Sequence, residues 1–289
     1  MPAPLRIGTR GSPLALAQAR LVADALRAAH CWDADAIELV PITTSGDVIQ
    51  DRRLAEVGGK ALWTKELDAC LVDGRTDLSV HSMKDVETIR PEALAIAAML
   101  ERADTRDRLI GADSLDALPE GARVGTSSPR RTAQLLARRP DLLCATIRGN
   151  VQTRLAKVAS GEFDATLLAA AGLDRLGIAA GVPLDLLPAP AQGAIGVEIL
   201  AGRDDLRSML GAIDHVPTHA AVSAERAFLA ELGGDCHSAI GALALGGLVK
   251  AEILSADGRE VQKGEGEPAA LAGELLARAS PALRAMFGR

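Results

Sequence analysis

Lys84 and Asp85 are the residues of this chain best placed to do chemistry. They sit in the run 74–89, GRTDLSVHSMKDVETI, where Leu78-Ser79-Val80 reads as a short buried strand. His81-Ser82-Met83-Lys84-Asp85 then reads as the turn that leaves it. In open α/β sheets ligands bind beyond the carboxyl ends of the strands, so a lysine and a carboxylate there form a candidate reaction centre. A KD dipeptide alone is more simply an exposed loop whose charges meet water.

Several other strand-to-helix turns carry arginine. These are Arg10 in TRGSPLAL, Arg130-Arg131 in GTSSPRR, Arg148 in IRGN and Arg175 in LDRLG. A helix N-terminus offers free N–H groups and partial positive charge, and hence attracts anions. Hydroxyls (Ser12, Thr126, Ser127, Ser128) beside guanidinium forks would make carboxylate or phosphate clamps. Each arginine alone fits a solvated helix end; arginines at four equivalent ends favour a polyanionic ligand between two lobes. No G-x-x-x-x-G-K-[ST] or G-x-G-x-x-G run is present, so no nucleotide site is expected. Gly233-Gly234-Asp235-Cys236-His237 reads as a tight exposed turn carrying a tunable thiol, though an ordinary free cysteine fits as well. Cys31, Cys70 and Cys144 sit in apolar contexts and are expected in the core.

The elements that must position these residues alternate. Strands are predicted at 5–7, 37–42, 78–80 and 94–99, with helices at 13–29 and 61–72. Ser12-Pro13 supplies an N-cap followed by proline in the first turn. A second cycle starts near Asp104, with strands at 123–125, 142–147 and 165–168. Its helices are predicted from Ser128-Pro129 to about Arg139, at 151–159 and at 170–176. Residues 183–193, PLDLLPAPAQG, read as a linker, and apolar β-like sequence returns at 194–199. This βαβ logic predicts two α/β lobes with mostly parallel sheets. The last 75 residues differ. A helix at 218–232, strands at 240–245 and 249–254 around an Ala256-Asp257-Gly258 turn, and a helix at 268–279 form a small α+β domain.

Composition narrows the function classes. The chain has 289 residues, 48% hydrophobic and 24% charged, which suits a globular protein of two or three domains. No apolar run reaches the ~20 residues of a membrane span, and MPAPLRIGTRGSPLAL shows no basic region with an apolar block, so no secretory signal is expected. Four cysteines without a C-x-x-C pair argue against zinc or a disulfide framework. They fit a reducing cytoplasm, and no metal is expected. A net charge of −6 and 2% aromatic residues disfavour nucleic-acid binding. The 26 Arg against 6 Lys fit codon bias in a GC-rich genome.

Together these residues resemble porphobilinogen deaminases over nearly the whole chain. The matching segments are RIGTRGSPLALAQA (6–19), LVPITTSGD (39–47), VGGKALWTKELD (57–68), DLSVHSMKDV (77–86) and ERADTRD (101–107). They continue with VGTSSPRR (124–131), IRGNVQTRL (147–155), AAAGLDRL (169–176), PAPAQGAIGVE (188–198), AERAFL (224–229) and LGGDC (232–236). The resemblance implies two doubly wound lobes of the type II periplasmic-binding-protein kind and a small C-terminal α+β domain. The expected division is 1–100 with 193–213, 101–192, and 214–289.

It also implies a monomeric transferase of tetrapyrrole biosynthesis, joining four porphobilinogen units head to tail into linear hydroxymethylbilane with loss of ammonia. The chain would grow on a dipyrromethane cofactor held as a thioether on Cys236. Asp85, with Lys84, would be catalytic. Ser82, Lys84, Thr126, Ser128, Arg130, Arg131, Arg148 and Gln192 would hold the cofactor, and Arg10, Ser12, Gln18, Arg148, Arg154 and Arg175 the substrate. Trp63, Glu56 and His237 stand where many members carry other residues, the first two in or beside a segment (46–62) resembling a cover over the site. Each pyrrole carries an acetate and a propionate, so an arginine-lined cleft suits the growing chain. On the residues alone two rivals stay open: a non-catalytic small-anion-binding protein of the same fold, and a nucleic-acid binder. An intact mass raised by a dipyrromethane separates the enzyme from the first; charge and scarce aromatics weigh against the second.

Overall fold

The structure, a computed structural model, describes residues 4–44, 64–234 and 238–287. Glu56, Trp63 and the expected cover 46–62 lie outside the described residues, as do Asp235, Cys236 and His237. The chain divides into two compact units: Met1–Ala103 with Gly193–His219, and Asp104–Gln192 with Ala220–Arg289.

The first unit is built on a five-stranded sheet. Its strands are β1 (Leu5–Arg10), β2 (Ile37–Ile42), β3 (Leu78–Ser82), β4 (Leu94–Met99) and, after the excursion into the second unit, β10 (Ile195–Leu200), ordered β2-β1-β3-β10-β4. β1 is parallel to β2 and β3, while β10 runs antiparallel to β3 and β4. Helix α1 (Pro13–His30) covers one face because Ala19, Val22, Ala23 and Leu26 recur at helical spacing. They pack on Ile7, Leu78, Val80, Val197 and Ile199. Ser12 starts the helix by accepting the Ala15 N–H at 3.2 Å, with Pro13 in the first turn. Helix α2 (Lys65–Val72) buries Leu67, Cys70 and Leu71.

The second unit repeats the plan. Its sheet contains β5 (Asp107–Ile110), β6 (Arg123–Gly125), β7 (Leu143–Ala145), β8 (Ala165–Ala169) and β9 (Val182–Leu184), ordered β7-β6-β8-β5-β9. β6 is parallel to β7 and β8, and β5, the strand after the crossing, is antiparallel to β8. Ser128 and Asn150 cap α3 (Pro129–Arg138) and α4 (Val151–Ala159). Helix α5 is Ala170–Arg175. The C-terminal part adds α7 (Val216–Leu232) and an antiparallel sheet of β11 (Ile240–Leu245), β12 (Leu248–Leu254) and β13 (Val261–Gly266). Helices α8 (Pro268–Arg278) and α9 (Pro281–Ala285) follow, while α6 (Asp204–Leu210) belongs to the first unit. This part has its own core around Phe228, Ile253, Leu275 and Phe287. From Ala220 on it groups with 104–192. Gln134 of α3 donates to Glu252 of β12 at 2.6 Å, and Ala133, Ala239 and Leu254 share one cluster.

Several expectations need correction. The stretch read as a linker begins inside β9, with Pro183 in the middle of that strand. That proline is tolerated because β9 is an edge strand, where one unpaired N–H is not missed. β5, β13 and α9 were not expected. Cys31 is exposed rather than in the core: it closes α1 at φ 53°, so its side chain leaves the helix's apolar face. Cys70 is buried and Cys144 half-buried, where burial pushes its thiol up to about 11.

Candidate functional site

In the first unit the sheet's carboxyl edge assembles a pocket. β1 and β3 are parallel, so Arg10 at the end of one and Ser82 at the end of the other emerge on the same side. Arg10, Ser12, Gln18, Ser82 and Asp85 line the pocket together with His81. Gln18 is nearly fully buried; its Nε2 donates to Ser82 Oγ at 2.8 Å, and Ser82 Oγ donates to Oε1 of the same amide at 3.0 Å. Lys84 and Asp85 occupy a single 3₁₀ turn, Met83–Asp85. Met83 anchors that turn: it is 1% exposed, and a Cβ on Gly196 would meet its sulfur at 2.1 Å. Asp85 is exposed, and its carboxylate makes no hydrogen bond or ion pair among the described residues. Lys84 shares the turn but does not line the pocket.

Behind the turn lies a buried polar network that the sequence reading missed. Glu198 of β10, 0% exposed, lies 3.0 Å from His81 Nε2 and accepts from Arg90 Nε at 2.8 Å and Nη2 at 2.9 Å. Burial alone would raise the Glu198 carboxyl, but His81 and Arg90 hold it down at about 2. The signal was available: Glu198 is an acid within the apolar run AIGVEIL, and a buried acid needs a partner.

In the second unit the expected clamp is turned inward. Arg130 and Arg131 are 3% and 6% exposed. Arg130 Nη2 donates to Asp107 at 2.8 Å; Arg131 donates through Nη2 at 2.7 Å and Nε at 3.2 Å. Gln192 is also fully buried and donates to Asp107 at 2.9 Å and to the Thr105 carbonyl at 2.7 Å. Despite burial, the two guanidiniums hold the Asp107 carboxyl far below the usual carboxylate range. Burial lowers Arg130, against the pull of Asp107. Asp107 comes within reach because β5 is antiparallel, which places its first residue opposite Ala169 at the end of β8. Thr126 Oγ1 accepts the Ser128 N–H at 3.1 Å, and Ser128 Oγ accepts the Arg131 N–H at 3.4 Å.

Arg148 is half-buried just ahead of the Asn150 cap, and Arg154 donates through Nε to the Gly149 carbonyl at 2.9 Å. Arg175 departs from the helix-start expectation. It is the last residue of α5, where a cation complements the carbonyl end instead of extending an anion site. Burial lowers its guanidinium to about 10.

Two sheets of matching strand order, each entered by one antiparallel strand after a crossing, with polar groups at their carboxyl edges, define a doubly wound α/β protein of the type II periplasmic-binding kind. Residues 5–208 match the family model "Porphobilinogen deaminase, dipyromethane cofactor binding domain". A porphobilinogen deaminase from Sphingopyxis alaskensis is 56% identical over 98% of this chain and 96% of its own length. One from Paracoccus denitrificans is 51% identical over 89% of this chain and 86% of its own. The chain therefore belongs to the porphobilinogen deaminase family. Among solved structures, a nutrient-binding protein from Burkholderia cenocepacia bound to methionine is similar at a TM-score of 0.45 and 14% identity, covering 78% of this chain and 95% of that one.

Proposed function

We propose that this chain is a hydroxymethylbilane synthase that condenses four porphobilinogen molecules head to tail, releasing ammonia at each step. One observation carries the reading in a chain of this family. The Asp85 carboxylate, without a partner among the described residues, shares a pocket with Arg10 and the Ser12-capped start of α1.

The family's cofactor-binding domain implies a dipyrromethane, whose carboxylate side chains need donors and positive charge. The second unit's donor set suits it. Two guanidiniums on the single carboxylate of Asp107 leave one uncompensated positive charge at the Ser128-capped end of α3. The nearby acid Glu252 has its own cation in Lys263, at 3.0 Å. Arg130 Nε is a buried N–H with no acceptor among the described residues. Thr126, Ser128, Arg148 and Lys84 would hold the cofactor with Ser82. Gln192, buried on Asp107, would act by fixing the arginines. Cys236 would anchor the cofactor as a thioether. When bound, it supplies the free α-carbon at which the chain grows.

The chain's own residues then have distinct tasks. Arg10, Ser12 and the positive end of α1 take substrate carboxylates, with Gln18 holding Ser82 in place. Arg148 and Arg154 do the same in the second unit; Arg175 contributes charge from a helix end. Loss of ammonia from porphobilinogen leaves positive charge on the pyrrole nitrogen. Asp85 stabilises that charge where it develops and helps move the α-proton that must leave. A net charge of −6 and scarce aromatics support a small-molecule substrate rather than a nucleic acid. In this reading the enzyme works as a monomer in the cytoplasm.

Wild type and Cys236→Ser, each assayed for porphobilinogen conversion and stained with Ehrlich's reagent, test the proposal. Wild type should convert substrate and colour; Cys236→Ser should fold, stay colourless and be inactive. Colour in the variant rejects Cys236 as the anchor. A coloured wild type that leaves porphobilinogen unchanged rejects the activity.

A further inference from the structure

Arg90 joins side chains on both sides of the Asp85 turn. Its side chain is 9% exposed and reaches three carboxylates on three segments. It makes a two-point contact with Glu198, the buried acid of β10 that also binds His81, four residues before Asp85. It donates to Asp68 of α2 at 2.6 Å and to Glu87, two residues after Asp85, at 2.5 Å. Glu87 in turn accepts from Thr64 Oγ1 at 2.8 Å and 3.0 Å, joining the segment after Asp85 to the start of α2. Asp85 thus lies between an anchor before it, through His81, and an anchor after it, through Glu87. Its own carboxylate has no partner among the described residues, so the reach of its side chain is set from the backbone position of the turn.

We propose that Arg90 is a positioning residue for the reaction, holding the His81–Glu87 segment so that the Asp85 carboxylate faces the pyrrole nitrogens. This rests on the activity proposed above. A planar fork with several donors can join three carboxylates at once; an ammonium offers only a point charge. Displacing a reacting group by about 1 Å can cost on the order of 10²-fold in rate, so partial loosening should be visible in kcat. Arg10 and Ser12 are not among the side chains that Arg90 is shown to hold, so substrate affinity should hold.

The test compares wild type, Arg90→Lys, Arg90→Gln and Glu87→Gln at matched Ehrlich colour per molecule. Arg90→Lys keeps the charge and should fold; its kcat should fall about 5-fold, with KM changed less than about 2-fold. Arg90→Gln should lose about 10-fold or more, and Glu87→Gln about 3-fold. Amide hydrogen exchange gives a second readout. A peptide spanning residues 82–87 should exchange faster in Arg90→Lys, while peptides of α1 should not change. Should Arg90→Gln fail to fold, Arg90→Lys and Glu87→Gln decide. Wild-type kcat in Arg90→Lys, a raised KM at constant kcat, or unchanged exchange over 82–87 overturns the inference. A wild type without activity refutes the underlying function instead.

Discussion

The two sheets share a strand order yet use their carboxyl edges in opposite ways. Each has a Ser-Pro helix start beside it: Ser12-Pro13 in the first unit, Ser128-Pro129 in the second. Each receives one antiparallel strand after a crossing, and the first residue of that strand makes the difference. In the first unit it is Ile195, opposite Ser82, and the polar groups around it face a pocket. In the second it is Asp107, opposite Ala169, and it draws Arg130, Arg131 and Gln192 inward. The same scaffold thus gives one edge whose exposed carboxylate, Asp85, has no partner among the described residues and one whose carboxylate, Asp107, is taken up by the protein's own side chains. Polar residue types at strand ends indicate the chemistry on offer; internal partners decide how much of it faces outward.

The largest stability effect should come from the second edge. Asp107→Ala leaves two buried guanidiniums without their carboxylate and should cost about 3–5 kcal/mol in urea unfolding. Asp85→Ala, at an exposed unpaired group, should stay within about 0.5 kcal/mol. Equal costs would remove the contrast between the edges.

A smaller effect concerns pH. The Glu198 carboxyl sits at about 2 against an ordinary 4.5, so its ionised form adds stability that is present above pH 4.5 and lost as pH falls towards about 2. The lost contribution is on the order of 3 kcal/mol. Glu198→Gln should therefore show a shallower fall in stability across that window. Some fall should remain, because Asp107 is also held low. An acid limb as steep as wild type would remove Glu198 as its source.

The smallest effect tests what the two edges share. Ser12→Ala and Ser128→Ala each remove a helix cap and should each cost about 1 kcal/mol in urea unfolding. A cost at only one position would show that the two helix starts are not equivalent.

Much of this was legible in the sequence where a signal is local. Ser-Pro starts, helical apolar spacing in α1 and the apolar runs of β3, β4 and β10 marked the elements. Arg10, Ser12, Gln18, Ser82 and Asp85 do meet in one pocket. What could not be read depends on distant pairing. The direction of Arg130 and Arg131 is set by Asp107, more than twenty residues upstream, in a four-residue strand with two charges. β9 escaped because its proline reads as a break until its place at the sheet edge is known. Arg175 resembled the other arginines in sequence but falls at the end of a short helix. Arg90 lies in no apolar pattern, and its role becomes visible only when Glu198, Asp68 and Glu87 converge on it.

In the proposed reaction Asp85 acts as an unpartnered carboxylate on substrate positive charge. Turnover of porphobilinogen by Asp85→Asn, per molecule carrying dipyrromethane, tests it most directly. Loss of one preorganised electrostatic group should lower kcat by about 10²–10³ while the arginines keep KM near wild type. Wild-type turnover at matched cofactor content, or a loss confined to KM, would contradict the account.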